Sequence, residues 1–313
     1  MTALGDLQIH HRLNPTDIDS VCALIDRVMD HDGLHPLSEH VWLHLRHGGD
    51  EHDEHLIIKQ GTTVIGYAHL DATDAVAGAS GEVVVDPDYR RLGLGRRLVE
   101  AMIELTSDGR LRLWAHGELE GGVGLTRSLG FANTRLLWQM RRSLRLTLAA
   151  PVWPPGISVR TFRPGLDEQA WLAINARAFA HHPEQGSWQE TDLLRRMDEP
   201  WFSPEGFLIA IADATGAMAA FHWTKVHGSR ATDHAHGAIG EVYVVGVDPV
   251  WQGTGLGRAM TIAGLHHLRA LGLDQAMLYV DATNTGAIRL YESLGFARWD
   301  TDVLYQRSPD MGS

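Results

Sequence analysis

A chain of 313 residues, 44% hydrophobic and 21% charged, has the balance of a soluble globular protein, and its length suits two domains better than one. A formal charge of −12 disfavours nucleic acid as a partner, although a local basic cluster can still bind a small anion. No apolar run approaches about 18 residues, so no membrane association is expected, and the opening MTALGDLQIHHRLNP lacks the basic-then-apolar order of a secretory signal. The single cysteine, Cys22, allows no intrachain disulfide, which fits a cytoplasmic location.

The first half opens on a short predicted strand and then amphipathic helices. Cys22 lies in one of them (VCALIDRVM, residues 21–29) and is expected in the core. Strands with β-branched residues follow, ending in GEVVVDP at residues 81–87, and YRRLGLGRRL comes at 89–98. Residues 146–156 carry Pro151, Pro154 and Pro155 and read as a stiff, extended linker. The second half places its best strand at residues 239–247 (IGEVYVVGV) and the glycine turn WQGTGLGRAM at 251–260. A helix over 255–272, a strand over 275–281, a helix over 284–295 and a final strand over 297–306 complete it. His227, His234 and His236 fall in a glycine- and alanine-rich stretch expected to be a solvated loop. No metal-ligand spacing is evident, and no metal is expected.

The halves repeat one another. VVVDPDYRRLGLGRRLVEAM and RSLGFANTR in the first return as VVGVDPVWQGTGLGRAMTIA and ESLGFARWD in the second, in the same order and at nearly constant offset. This reads as a tandem duplication: a domain over 1–145, the linker over 146–156 and a second domain over 157–313. Strands and helices mix without regular βαβ alternation, which predicts an α+β fold with a mixed, largely antiparallel sheet in each half.

A glycine-rich turn from strand to helix suits an anion. The first amides of a helix lack internal partners, the helix dipole adds positive charge, and glycine lets a phosphate reach the backbone. Gly253, Gly255 and Gly257 with Arg258 offer this in the second half; Gly93 and Gly95 with Arg90, Arg91 and Arg96 offer it in the first. Neither turn ends in Gly-Lys-Ser/Thr, so neither is a nucleotide P-loop. The Gly-x-Gly-x-Gly order after several strands also fits a dinucleotide fingerprint poorly. A helix start without ligand stays open on this ground alone.

Gln252-x-x-Gly255-x-Gly257 after VDP resembles the acyl-CoA motif of the GCN5-related N-acetyltransferase (GNAT) superfamily. Asn284-x-x-Ala287-x-x-x-Tyr291-x-x-x-Gly295-Phe296 is similar to its second motif. AHHPEQGSW, FHWTKVH and GEVYVVGVDP, with HDGLHPLSE and WAHGELE in the first half, look like segments of the two-domain mycothiol synthases of actinobacteria. The resemblance implies two tandem GNAT domains, acetyl-CoA as co-substrate and the cysteinyl amine of cysteinyl-glucosaminyl-inositol as acceptor. A different tandem N-acetyltransferase, acting on an antibiotic, polyamine or protein amine, and an acetyl-CoA-sensing module without turnover are the competing readings. Partners would be small molecules only, with the chain a monomer.

Acetyl transfer to an amine needs a base, a polarised thioester carbonyl and an acid for the departing sulfur. The resemblance makes Glu241 the base and Tyr291, two helical turns after Asn284, the acid. Gly246 inside its strand is expected to mark a bulge that presents the amides of Val245 and Val247 to the pantetheine arm. Gln252, Gly253, Thr254, Gly255, Leu256, Gly257 and Arg258, with Asn284 and Arg289, would hold the CoA moiety. Acceptor contacts are expected from Glu39, reaching across the domain interface, and from Glu184, Lys225, Glu241 and Tyr279. The first half would use Val83, Val84, Val85, Arg90, Arg91, Gly93, Gly95 and Arg96 in the same way. It has Thr126 in place of the tyrosine, a shorter strand without the bulge glycine, and Glu82 out of register with Glu241. It is expected to fold alike and not to turn over; whether its cradle is filled stays open.

Overall fold

The computed structural model of the chain describes residues 5–48, 52–73, 78–117, 119–182, 185–228 and 238–307. In chain order the first half contains β1 (Asp6–His10), α1 (Pro15–Asp32), α2 (Glu39–His47), β2 (Asp53–Gln60), β3 (Thr63–Asp71), β4 (Ala79–Val85), α3 (Leu94–Leu105), β5 (Leu111–Ala115), α4 (Glu120–Ser128) and β6 (Ala132–Ser143). The second contains β7 (Ile157–Thr161), α5 (Glu168–Ala178), α6 (Glu190–Met197), β8 (Phe207–Ala212), β9 (Met218–His227), β10 (Ile239–Val247), α7 (Leu256–Ala270), β11 (Gln275–Asp281), α8 (Thr285–Ser293) and β12 (Ala297–Arg307). Residues 146–156 are irregular, as three prolines dictate. Local chemistry sets the helix ends. Asn14 caps α1, accepting from Asp17 N at 3.0 Å, Pro15 supplies the first turn, and Gly33 ends the helix at φ 73°.

The chain divides into two compact units, Met1–Trp138 with Asp300–Ser313, and Gln139–Trp299. The sheet of the first runs β1-β2-β3-β4-β5-β12, and that of the second runs β6-β11-β10-β9-β8-β7. Only β4–β5 and β10–β11 pair in parallel among the registers described, so each sheet is mixed and largely antiparallel. The division departs from the boundaries read from sequence in two respects: the first stretch ends at Trp138 rather than 145, so residues 146–156 fall within the second unit, and the C-terminal strand changes side. Residues from Asp300 onward belong with the first unit, where β12 pairs antiparallel with β5 from Val303↔Ala115 to Arg307↔Leu111. Val303 and Tyr305 are buried in the core formed by Leu98, Met102 and Leu113. Chain order does not encode which edge a terminal strand joins; register and buried side chains do.

Alternating residues bury on opposite faces of each sheet. In the first unit Tyr67 and Val84 pack with Val21, Leu24 and Val28 of α1, while Ala68 packs with Leu94, Leu98 and Met102 of α3. Cys22 is half-buried against the α1 core, a small hydrophobe as expected. In the second unit Trp171 of α5 meets Phe207, Phe221 and Trp223, with Trp223 stacked on Phe207 at 4.4 Å. On the other face α7 sets Leu256 and Met260 against Ala210 and Ala220.

His222 of β9 lies under α7, fully buried, and its Nδ1 donates to Met260 O at 2.8 Å. Burial pushes its imidazole down to about 4. The folded value is below the unfolded value of about 6.5, so the unfolded chain binds the extra proton. Stability present above pH ~6.5 is therefore lost as pH falls toward about 4. His222 accounts for a loss of about 2 kcal/mol between pH 7 and 5. Denaturant titrations of wild type and His222→Gln at both pH values measure it; an equal loss in both proteins would remove His222 as the cause.

Candidate active site

Both glycine turns are built alike. A single 3-10 turn (Pro249–Trp251) follows β10, capped by Asp248, which accepts from Val250 N at 3.1 Å and is held by Arg177 at 2.8 Å. Asp86 does the same in the first unit, accepting from Asp88 N at 3.1 Å and from Arg27 at 2.8 Å. Each following helix has a glycine N-cap in the left-handed region, Gly255 for α7 and Gly93 for α3, both at φ 88°. Neither cap has a side chain to occupy the first amides, and a Cβ added at Gly253, Gly255 or Gly93 would meet nothing within 4 Å. The space over these amides is open, so the residues fit a pyrophosphate. Leu256 is buried and anchors the first turn of α7. Gly257 backs onto Val247, where a Cβ would sit 3.3 Å from Cγ2. Thr254 Oγ1 donates to Trp251 O at 2.7 Å and stiffens the loop.

One arginine is placed alike in the two cradles, and the others are not. Arg258 is exposed and donates to Ser293 Oγ at 2.6 Å; Arg96 does the same to Ser128 Oγ at 2.7 Å. Both stand beside an open helix start. Arg90 instead grips Asp32 with both terminal nitrogens at 2.8 and 2.6 Å, while Gln252, its counterpart, points Nε2 at Val247 O at 3.5 Å. Arg91 adopts φ 64°, a strained conformation for a non-glycine residue. Arg289 is exposed on α8.

Parallel pairing of β10 with β11 covers Gly240↔Ala276 and Glu241↔Met277 and goes no further among the described residues. From Val242 to Val247, β10 keeps only its antiparallel partner β9. The strands part there, which leaves the backbone edge around Val245 and Val247 available to an extended ligand. The bulge is not at Gly246. The register shift falls between Val242 and Val244, at Tyr243, and Gly246 pairs in register with Phe221. Gly246 is glycine for packing: a Cβ would lie 2.6 Å from the Phe221 ring and 3.2 Å from Phe179. In the first unit β4 and β5 part after Gly81↔Leu113, leaving Val83, Val84 and Val85 in the equivalent position.

Glu241 sits at the fork, 6% exposed, and its Oε2 meets His227 Nε2 at 2.6 Å. Lys225 is directly across the β9 ladder and shares its face. The Lys225 ammonium lies 4.6 Å from the Trp201 ring and 5.4 Å from that of Tyr243, a cation–π box. Tyr243 is fixed in turn by Arg196 Nε at 2.7 Å. His227 is thus no part of a solvated loop but the partner of Glu241; His234, His236 and Glu184 lie outside the described residues. His222 and Trp223, adjacent in sequence, are both fully buried core.

Asn284 caps α8, accepting from Ala287 N at 3.1 Å. Tyr291, two turns on, is 7% exposed against Phe296, and burial pushes its hydroxyl up to about 12. It is a phenol, not a phenolate, across the working pH range. Tyr279 on β11 accepts from Gln139 Nε2 at 2.8 Å. In the first unit Glu39 opens α2 next to Ser38. Thr126 stands where a tyrosine would, buried, its hydroxyl donating to Gly122 O at 2.9 Å. Glu82 is occupied: it accepts from Ser38 N at 2.7 Å and pairs with His116 at 3.5 Å. Burial alone would lower the His116 imidazole, but the Asp302 and Glu82 carboxylates hold it up at about 10. Glu82 is a member of a buried ion pair, not a base.

Residues 170–296 match the Acetyltransferase (GNAT) family, and residues 51–133 match the Acetyltransferase (GNAT) domain. A mycothiol acetyltransferase from Acidothermus cellulolyticus is 55% identical, covering 96% of this chain and 94% of its own. One from Streptosporangium roseum is 50% identical over 95% and 97%. The chain belongs to the mycothiol acetyltransferases. It is therefore an N-acetyltransferase of two GNAT domains. Among solved structures, a GCN5-related N-acetyltransferase from Sphaerobacter thermophilus superposes with TM-score 0.69 at 25% identity, over 98% and 97% of the two chains. A tandem GNAT protein from the clavulanic acid biosynthesis pathway shares the fold at TM-score 0.72 and 19% identity, over 98% and 100%.

Within this mycothiol acetyltransferase framework, sequence reasoning missed His227, Trp201, Tyr243 and Gln139. The first sits at the end of β9, and an aromatic–lysine box has no fixed spacing. Two outcomes follow from the geometry. Tyr291→Phe lowers turnover about 10²-fold and leaves acetyl-CoA affinity unchanged, because only the proton is removed; steady-state rates and calorimetry check it, and unchanged turnover would exclude an acid role. Gly93→Glu places an anion on the first cradle, where no neighbouring atom blocks the side chain, but it forces a non-glycine residue to φ 88°, so thermal unfolding is measured alongside. Acetyl-CoA binding to that unit is lost while turnover persists; loss of turnover in a folded variant would make the first cradle essential.

Proposed function

We infer that this chain transfers the acetyl group of acetyl-CoA to the cysteinyl amine of cysteinyl-glucosaminyl-inositol, giving mycothiol. The observation that carries this reading is the buried Glu241 at the fork of β10 and β11, within one strand of the open α7 turn. Acetyl-CoA supplies an activated acyl thioester. Gly253, Gly255, Gly257, Arg258 and Asn284 would hold it, with the backbone of Val245 and Val247 along its arm.

An α-amine with a pKa of about 7.7–8.0 is mostly an ammonium at neutral pH. Glu241 removes that proton, leaving a lone pair, and His227 at 2.6 Å, half-exposed, links the carboxylate to solvent. The Val245 and Val247 amides stabilise the oxyanion that develops on the carbonyl. Tyr291 gives its proton to the departing sulfur. Lys225, Tyr279 and Glu184 are proposed acceptor contacts, and the polar residues suit a polyhydroxylated molecule. The lone Cys22 supports a cytoplasmic setting. Among the described residues no helix is long and apolar enough to cross a membrane.

Mass detection of the acetylated product, with cysteinyl-glucosaminyl-inositol set against a panel of polyamines and aminoglycosides, tests the assignment. Preference for the cysteinyl acceptor supports it. Turnover on another amine alone keeps the acetyltransferase and overturns the acceptor.

A further inference from the structure

We propose that the first unit holds a structural divalent metal ion, zinc by donor set, on His44, Asp53 and His69. The three come from α2, β2 and β3, so no ligand spacing shows in the sequence. Among the described residues this is the cluster whose ligand atoms all lie within 4.8 Å of one another. All three are buried, at 3%, 0% and 0% exposure.

The strand register builds the site. Asp53 faces Asp71 and His55 faces His69 across the β2–β3 ladder, so all four side chains share one face of the sheet. Helix α2 lies over that face and contributes His40 and His44, one turn apart, with rings 3.9 Å apart. The outer members are tied off: His40 Nε2 meets Asp71 at 3.1 Å, and His55 Nδ1 meets Tyr67 Oη at 2.9 Å. Such outer contacts orient a coordination shell.

The inner three are poorly explained as a hydrogen-bond network. His44 Nδ1 meets Asp53 Oδ2 at 2.5 Å. His69 Nε2 stands 3.6 Å from the same oxygen, beyond a hydrogen bond, and neither ring nitrogen of His69 has a hydrogen-bond partner. A buried imidazole left so costs about 1–3 kcal/mol. Donors around a tetrahedral zinc, at bonds of about 2.0 Å, lie about 3.3 Å apart. His69 is already near that separation from Asp53, the His44–Asp53 contact opens by about 1 Å to reach it, and all three ligand atoms lie within 4.8 Å of one another. Binding exchanges the proton shared by His44 and Asp53 for the metal. Two imidazoles and one carboxylate suit zinc and its borderline neighbours. Three protein ligands leave the fourth tetrahedral position to a water, and burial of all three keeps it from any substrate, so the ion's role is structural.

The test uses the full chain, dialysed against a chelator and titrated with zinc chloride, read by elemental analysis and thermal unfolding. One equivalent binds with sub-micromolar affinity and raises the unfolding temperature. Cobalt in its place gives the visible absorption bands of a tetrahedral site. His69→Gln and Asp53→Asn each weaken binding at least 100-fold. If either variant folds poorly, the chelated and zinc-restored wild type carries the test alone. Absence of a saturable equivalent on the folded wild type overturns the proposal. So does binding unchanged in both variants, which would place the metal on other histidines.

Discussion

Replacing Glu241 by Gln lowers turnover by about 10²–10³-fold while acetyl-CoA affinity stays within about twofold. The substitution keeps shape and hydrogen-bonding capacity. A glutamine oxygen can still accept from His227 Nε2, now 2.6 Å from Oε2, so the fork of β10 and β11 is retained. What is lost is the ability to take a proton. At neutral pH most of an α-amine with a pKa of about 7.7–8.0 is charged and not nucleophilic. The residual rate then depends on the fraction of substrate that arrives neutral, so it climbs with pH more steeply than wild type up to about pH 8. Turnover within about fivefold of wild type, at unchanged pH dependence, would remove Glu241 as base. His227→Gln separates the pair: a smaller loss assigns His227 to positioning and proton exit.

Gly264→Ala, a single methyl far from any reacting atom, destabilises the second unit by about 3 kcal/mol or more. In most helices this exchange stabilises by about 1 kcal/mol. Here the added Cβ would sit 2.0 Å from His222 Cε1 and 2.2 Å from Nδ1. His222 has nowhere to go, being fully buried with Nδ1 bonded to Met260 O on the same helix. Relief requires α7 to lift from β9 and β10. Gly240 makes the same demand one strand over, where a Cβ would lie 2.7 Å from Leu268. Lifting α7 displaces Gly255 and the amides behind it, so acetyl-CoA affinity falls along with stability. Thermal unfolding and calorimetry at one temperature measure both. A stable variant with full affinity would show that α7 is not seated by this contact.

The duplication, the α+β class, both glycine turns and most elements after residue 239 are legible in the sequence alone. Those signals are local: β-branched alternation, a helical period, an Asp-Pro break, and glycines where φ must be positive. Glu241, Asn284 and Tyr291 came from the resemblance to the acetyltransferase motifs, and spacing added only that Asn284 and Tyr291 lie two turns apart on one helix. What depends on contacts distant in the chain is visible only once the chain is folded. Gly246 looked like a bulge, but the bulge fell on Tyr243, because the Phe221 ring sets where β10 needs a bare backbone. Arg90 looked like a phosphate ligand, but Asp32, at the end of α1, had taken both terminal nitrogens. Strand β12 joined the first sheet, His227 turned to Glu241, and His44, Asp53 and His69 met from three elements. Sequence periodicity states which face a side chain takes; it does not state which neighbour the fold brings to that face.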